Sequence, residues 1–113
     1  MNRIRYKKDT TSPSEWQIWL AYVKYEGESG GKKRPVLITG IGDATCSILE
    51  ITSQPPIYES DIPIADLYWT GLNKESVIQT KKFRRIPKDS LLTFCGTLSN
   101  LDRRRVKDIM GVR

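Results

Sequence analysis

The stretch "GGKKRPVLITGIGDATCSILEIT", residues Gly30 to Thr52, contains two runs of strand-forming residues joined by a short glycine-rich turn. The runs "RPVLIT" and "ATCSILEI" are rich in the β-branched and aliphatic residues that favour strands. Between them, "GIGD" has the composition of a tight turn, so the stretch predicts a β-hairpin. Arg34 and Thr52 are then expected at the same open end of that hairpin.

Three consecutive cations, Lys32, Lys33 and Arg34, directly precede the first apolar run. A guanidinium remains protonated at every physiological pH, and its planar fork suits bidentate contact with a phosphate. The preceding glycines would let an anion approach the backbone closely. The pattern indicates an anion site, and its alternative is a charged loop end with no ligand.

The pattern on either side of the hairpin predicts a mainly β fold with one terminal helix. The expected elements are a first strand over Ser14–Tyr25, a short strand near Asp61–Ile64, a strand in "SVIQTKKF", a strand near Thr93–Thr97, and a helix from about Asn100 to Met110 with Ser99 as its N-cap. Together they predict a small, strongly bent antiparallel sheet or partly open, SH3-like barrel with a C-terminal α-helix. The three arginines of the helix, at positions 103 to 105, are expected on a solvated face.

The length of 113 residues fits one domain. We expect a basic N-terminal arm, residues 1–13, followed by a single folded domain, residues 14–113. No apolar run reaches the roughly 18 residues of a membrane span, and the N-terminus lacks the apolar core of a signal peptide, so a cytoplasmic protein is expected. Cys46 and Cys95 are far apart and are predicted to be reduced and buried, with no disulfide and no zinc site.

Charge and the absence of histidine narrow the possible functions. The net charge is +6, and residues 81–113 contain ten cations but only three acids. Such a field attracts polyanions, nucleic acid first and acidic proteins second, although a solubilising surface is the simpler alternative. With no histidine in the chain, any chemistry must use Arg, Lys, Thr, Ser, Tyr or carboxylates, and we expect neither a metal nor a cofactor.

Four ordered motifs resemble those of one known family. They are "GKKRPVLIT", "ITSQ", "GLNKESVI" and "GTLSNLD", all within Trp16 to Asp108. In this order and spacing they resemble the PemK/MazF-like toxins of bacterial type II toxin-antitoxin systems. The resemblance implies a compact SH3-like barrel that forms a homodimer and acts as a metal-independent endoribonuclease on single-stranded RNA.

The resemblance also assigns residues by motif. Arg34 matches the arginine of the family's Arg-Pro element, and Thr52 matches its threonine at the end of the third strand; the two form the family's usual catalytic pair. Gln54 matches a position along the RNA groove, with Lys32 and Lys33 in the bordering loop. Charge and hydrogen-bonding capacity add Ser53, Lys81 and Arg85 as further RNA-binding candidates. The residue that accepts the proton of the RNA 2′-hydroxyl stays unassigned.

The resulting hypothesis is a toxin that cuts messenger RNA until a cognate antitoxin neutralises it. Its expected partners are single-stranded RNA, the antitoxin and a second copy of the chain, with no membrane. Two alternatives remain open from the sequence. One is a non-catalytic RNA-binding β-barrel whose basic surface holds RNA without cutting it, and the other is a structural dimer or adaptor that uses its arginine-rich helix for protein contacts.

Overall fold

The computed structural model describes residues 11–111, which form a six-stranded antiparallel sheet and one α-helix. The elements are β1 (Gln17–Lys24), β2 (Gly31–Ile41), β3 (Thr45–Thr52), β4 (Asp61–Pro63), β5 (Val77–Pro87), a 3-10 turn (Lys88–Ser90), β6 (Leu91–Thr97) and α1 (Asn100–Met110). The strand order is β4-β5-β3-β2-β1-β6. Within residues 11–111 the two edge strands, β4 and β6, do not pair with each other, so the sheet is open rather than a closed barrel. The predicted mainly β fold with a C-terminal helix is confirmed, whereas most of the predicted basic arm lies outside the described residues.

The predicted hairpin is formed by β2 and β3. Val36 pairs with Glu50 and Ile38 with Ile48, and the register then shifts before Gly40. Strand β2 begins at Gly31, so the prediction of Lys32 and Lys33 in a loop is wrong. The physical reason is the neighbouring strand, because β1 extends to Lys24 and supplies ladder partners for both lysines.

The sheet has a buried cluster on each face. Strands β1, β2 and β3 contribute to both clusters because successive side chains point to opposite faces. One face packs against α1, and we call it the helix face; its buried residues include Ile18, Leu37, Leu49, Ile51, Ile78, Leu98 and Val106. The opposite face, called here the cleft face, buries Trp19, Ala21, Val23, Val36, Ile38, Cys46, Ile48, Ile86 and Leu91. Adjacent residues of β1, β2 and β3 therefore enter different cores.

Helix α1 has the predicted bounds and the predicted cap. The Ser99 hydroxyl accepts a hydrogen bond from the Asp102 backbone N–H at 3.2 Å, and the helix ends at Gly111 in the left-handed region with φ of 73°. Two of the three helix arginines are not the solvated residues that the sequence predicted. Arg103 Nε donates to the Leu98 carbonyl at 2.7 Å, and Arg105 Nη1 donates to an Asp102 oxygen at 2.7 Å. Arg105 Nη1 also donates to the Pro63 carbonyl at 2.9 Å, which links the helix to β4.

The segment between β4 and β5 passes very close to β6. Thr97 N–H donates to the Trp69 carbonyl at 2.8 Å, and Gly71 has a φ of 76°. A Cβ atom at Gly71 would lie 2.0 Å from the Cys95 carbonyl oxygen, so only glycine fits there. This contact fixes the chain that continues into residues 72–74, which lie beside Thr52.

The described part of the chain contains no helix long and apolar enough to cross a membrane.

Candidate functional site

Arg34 lies on β2 and lines a cleft of about 290 Å³. Strand alternation directs it to the cleft face, two residues before the buried Val36. Its side chain is 23% exposed, and its Nη1 atom donates to Glu50 Oε1 at 2.9 Å. Arg34 is thus partly buried, ordered by an ion pair, and still open to a ligand.

The cleft contains more charge than the sequence motifs indicate. It is lined by four cations (Lys24, Arg34, Lys82 and Arg84) and three carboxylates (Glu26, Glu28 and Glu50). Arg84 Nη1 donates to the second oxygen of Glu50 at 3.2 Å, and its Nη2 donates to the Lys24 carbonyl at 3.0 Å. Two guanidiniums therefore share one carboxylate, which leaves the trio of side chains with a net positive charge.

Thr52 ends β3 at the same end of the hairpin as Arg34. The last recorded pair of the β2–β3 ladder is Val36 with Glu50, and continuing this register by two residues sets Arg34 opposite Thr52. Directly opposed residues share a face of the sheet. The Thr52 hydroxyl accepts a hydrogen bond from the Gln54 N–H at 3.1 Å. Thr52 does not line the cleft; it lines a separate hollow of about 240 Å³ together with residues 72–74.

The other candidates near the hairpin end divide between two surfaces. Ser53 and Gln54 are exposed in the bend after β3 and line a hollow of about 540 Å³. Lys32 shares the cleft face with Arg34, because residues two apart on a strand point the same way. Lys33 points to the other face, so the structure separates the two lysines.

Lys81 and Arg85 do not line the cleft. The Lys81 ammonium lies 4.2 Å from the centre of the Tyr58 ring, a cation–π contact. Arg85 pairs with Ser47 and so belongs to the helix face. Its neighbour Arg84 is the arginine that reaches the cleft, and sequence reasoning missed it because nothing local distinguishes two adjacent arginines.

Glu50 was also missed, although the sequence carries a signal for it. It is the one charged residue in the run "ATCSILEI", which otherwise reads as a buried strand. Charged residues are rarely fully buried unless they are paired, so this position predicts a buried partner of opposite charge. The partner proves to be a pair of arginines, one from β2 and one from β5.

This arrangement defines a class of protein: a small open β-sheet with one packed helix, carrying a cationic cleft suited to a phosphodiester at the end of a hairpin. A sequence model of the PemK-like, MazF-like toxins of type II toxin-antitoxin systems matches residues 14–110. The chain belongs to that family. No curated protein sequence matches it significantly.

Solved structures share the fold. A Mycobacterium tuberculosis toxin, MazF-mt6, superposes with a TM-score of 0.68 at 23% identity, covering 84% of this chain and 92% of that one. A mycobacterial endoribonuclease in complex with its cognate antitoxin gives a TM-score of 0.67 at 13% identity, covering 90% of this chain and 98% of that one. At these identities the similarity shows a common fold.

Proposed function

We propose that this protein is a metal-independent endoribonuclease that cuts single-stranded RNA in the cytoplasm, where messenger RNA is translated. Cleavage of messenger RNA stops translation and growth until an antitoxin blocks the enzyme. The observation that carries the proposal is the placement of Arg34, beside Arg84, in an open cationic cleft of a chain that belongs to a toxin family. Both features favour a phosphodiester ligand.

The proposed reaction needs no bound water and no metal because the nucleophile belongs to the RNA. The ribose 2′-oxygen attacks the adjacent phosphorus, and the bond from phosphorus to the 5′-oxygen breaks. The 2′-hydroxyl proton passes to a base, and the leaving 5′-oxygen takes up a proton. The products are a 2′,3′-cyclic phosphate and a 5′-hydroxyl end.

Arg34 and Thr52 are the proposed catalytic residues. The transition state gains negative charge on the phosphoryl oxygens, and a fixed guanidinium stabilises that charge more than it stabilises the ground state. Arg34 supplies this donor and assists the leaving oxygen, while the Thr52 hydroxyl donates to a non-bridging oxygen. Their position at one end and on one face of the hairpin supports a joint role.

Two glutamates of the cleft are candidates for the proton acceptor. Glu50 is buried, and each of its oxygens already accepts from a guanidinium. Glu26 and Glu28 line the same cleft and are exposed, so a ribose hydroxyl can approach either carboxylate. We expect one of the variants Glu26→Gln and Glu28→Gln to lower kcat by about 100-fold, and the other to change it little.

The remaining candidates are proposed to bind RNA outside the reacting phosphodiester. The hydroxyl of Ser53 and the amide of Gln54 suit base or sugar contacts. We assign the phosphate contacts, and the positive electrostatic field that attracts RNA, to Lys32, Lys33, Lys81 and Arg85. Of these, Lys32 is favoured for a direct contact because it shares the face of Arg34.

The test is to incubate the purified protein with a mixed pool of single-stranded RNA in the presence of a chelator and to map the ends. Cuts with cyclic phosphate ends support the proposal, as does a loss of about 100-fold or more in kcat/KM for Arg34→Ala. Arg104→Ala is the matched control, since it removes an exposed guanidinium from α1 and should cut normally. RNA binding without cuts would instead support the non-catalytic RNA-binding barrel.

We further propose a homodimer and a cognate antitoxin as protein partners. The antitoxin is supported by family membership, and the acidic character expected of its binding segment complements the cationic cleft. Sedimentation measures the dimer directly. Addition of the polypeptide encoded beside this gene should abolish cleavage, and unchanged cleavage at saturating amounts would remove it as the antitoxin.

A further inference from the structure

Glu50 is a buried carboxylate on β3 that binds one arginine from β2 and one from β5. It is 4% exposed, and it lies on β3 two residues from the core residue Ile48. One oxygen accepts from Arg34 at 2.9 Å and the other from Arg84 at 3.2 Å. The three side chains come from β3, β2 and β5, which are adjacent in the sheet.

We infer that Glu50 is a positioning residue that fixes the guanidiniums of Arg34 and Arg84 side by side, so that both face one RNA phosphate. The inference rests on the proposed ribonuclease function. A guanidinium has five N–H donors, and hydrogen bonds within residues 11–111 use one from Arg34 and two from Arg84. Donors thus remain for a phosphate, and the trio keeps one net positive charge.

The two guanidiniums need to be ordered by Glu50 because arginine side chains are flexible. A free arginine side chain must lose much rotamer freedom when it binds a phosphate in one geometry. Glu50 restricts Arg34 before RNA arrives, and the Lys24 carbonyl restricts Arg84 in the same way. Preorganised donors of this kind stabilise a transition state without reorganising during the reaction.

A purely structural role is a poorer explanation of Glu50. Buried ion pairs contribute little to stability compared with apolar residues of the same size, because desolvation offsets the attraction. The neighbouring strand residues Ile48 and Val36 are apolar and completely buried, so an apolar side chain at position 50 would extend the core. A carboxylate at that place instead orders the two cleft arginines.

The first test is steady-state cleavage of single-stranded RNA by Glu50→Gln. A glutamine has one acceptor oxygen and turns an amino group toward the second guanidinium, so one arginine is released. We expect kcat to fall about 10- to 100-fold while KM changes less than about 3-fold. Glu59→Gln, which removes one exposed negative charge outside the cleft, is the matched control and should keep the wild-type kcat.

Combination with the double variant Arg34→Ala/Arg84→Ala separates positioning from independent effects. If Glu50 acts through the two arginines, adding Glu50→Gln to this double variant lowers kcat by less than about 2-fold. Losses that multiply would overturn the inference. A structural role predicts instead a lower unfolding midpoint with a normal kcat for the folded protein.

The second test does not require cleavage, so it separates this inference from the proposed function. Side-chain nitrogen NMR follows the Arg34 and Arg84 guanidiniums, which are assigned from Arg34→Lys and Arg84→Lys spectra. In the wild type we expect ordered, slowly exchanging signals, and in Glu50→Gln we expect at least one arginine to become mobile. Equal order in both proteins would overturn the inference, even for an enzyme that cuts RNA.

A wild-type protein that cuts no RNA would remove the proposed function, and the NMR comparison would still decide whether Glu50 orders the arginines. If Glu50→Gln is too unstable to purify, Glu50→Asp keeps the charge but shortens the side chain by one methylene. The shorter carboxylate cannot span both guanidiniums, so the same mobility and the same fall in kcat are expected. Wild-type behaviour of Glu50→Asp would count against the inference.

Discussion

Asp102 offers the most direct test of how the helix holds the fold together. Its side chain is fully buried in the first turn of α1. The carboxylate accepts from the backbone N–H groups of Ala65 and Asp66 at 3.1 and 3.0 Å, from the Ser99 hydroxyl at 3.1 Å, and from Arg105 at 2.7 Å. Asp102→Asn keeps the shape of the side chain but removes its charge and one of its two acceptor oxygens.

The expected loss follows from the donors that the asparagine cannot satisfy. Its single oxygen can retain the Ala65 or the Asp66 amide group but not the full set of four donors. An unsatisfied buried donor costs about 1 to 3 kcal/mol, and the charge-assisted bond to Arg105 is weakened as well. We expect the free energy of unfolding to fall by about 2 to 4 kcal/mol. For a domain of this size that lowers the melting temperature by about 10 to 20 °C.

The effect depends on pH in a defined direction. Burial acts to raise the pKa of Asp102, but the amides of Asp66 and Ala65, together with Arg105 and Ser99, outweigh it and hold the pKa below its ordinary value. A carboxylate with a depressed pKa contributes stability above its unfolded pKa of about 4, and this is lost as pH falls through the folded pKa. The difference between wild type and Asp102→Asn therefore shrinks below about pH 4.

Urea unfolding of both proteins from pH 3 to 7 measures this difference, with the fluorescence of the buried Trp19 as the probe. Asp108→Asn is the control, because it removes a carboxylate from an exposed position of the same helix. A loss below about 0.5 kcal/mol at pH 7 for Asp102→Asn would refute the reasoning. So would a difference that stays constant down to pH 3.

Three further predictions concern the cleft face, the close contact between Gly71 and β6, and the helix cap. Lys32→Gln should weaken binding to non-cleavable 2′-deoxy RNA and reduce the slope of log binding constant against log salt concentration by about one. Lys33→Gln, on the other face, should change the affinity and this slope less. Equal effects of the two variants in salt titrations would contradict the face assignment. Gly71→Ala should cost more than about 2 kcal/mol in urea unfolding because its Cβ meets a β6 carbonyl. Gly111→Ala, with a similar φ and open space, should cost about 1 kcal/mol, and a smaller loss at position 71 than at 111 would exclude the clash. Ser99→Ala should lower the free energy of unfolding by about 1 kcal/mol, and an unchanged urea midpoint would remove its capping role.

Several elements could be predicted because their determinants are local. The helix bounds follow from the Ser99 cap and the apolar spacing, and they agree with the structure. The hairpin follows from two strand-forming runs and a short turn. The first strand was predicted to begin at Ser14 but begins at Gln17. Trp16, whose positive φ of 73° breaks the extended backbone, lies just before it.

By itself, the sequence determined the family, the mainly β fold, the closing helix, and the position of Arg34 and Thr52 at the same end of one hairpin. Only the tertiary structure decided that Arg84 rather than Arg85 lies in the cleft, and that Glu50 joins it to Arg34. The reason is that a shift of one residue in a strand reverses every side chain. The β3–β5 register is irregular next to Glu50, where Leu49 pairs with Phe83 but Glu50 pairs with Gln79, and its alignment is set by contacts between segments far apart in the chain.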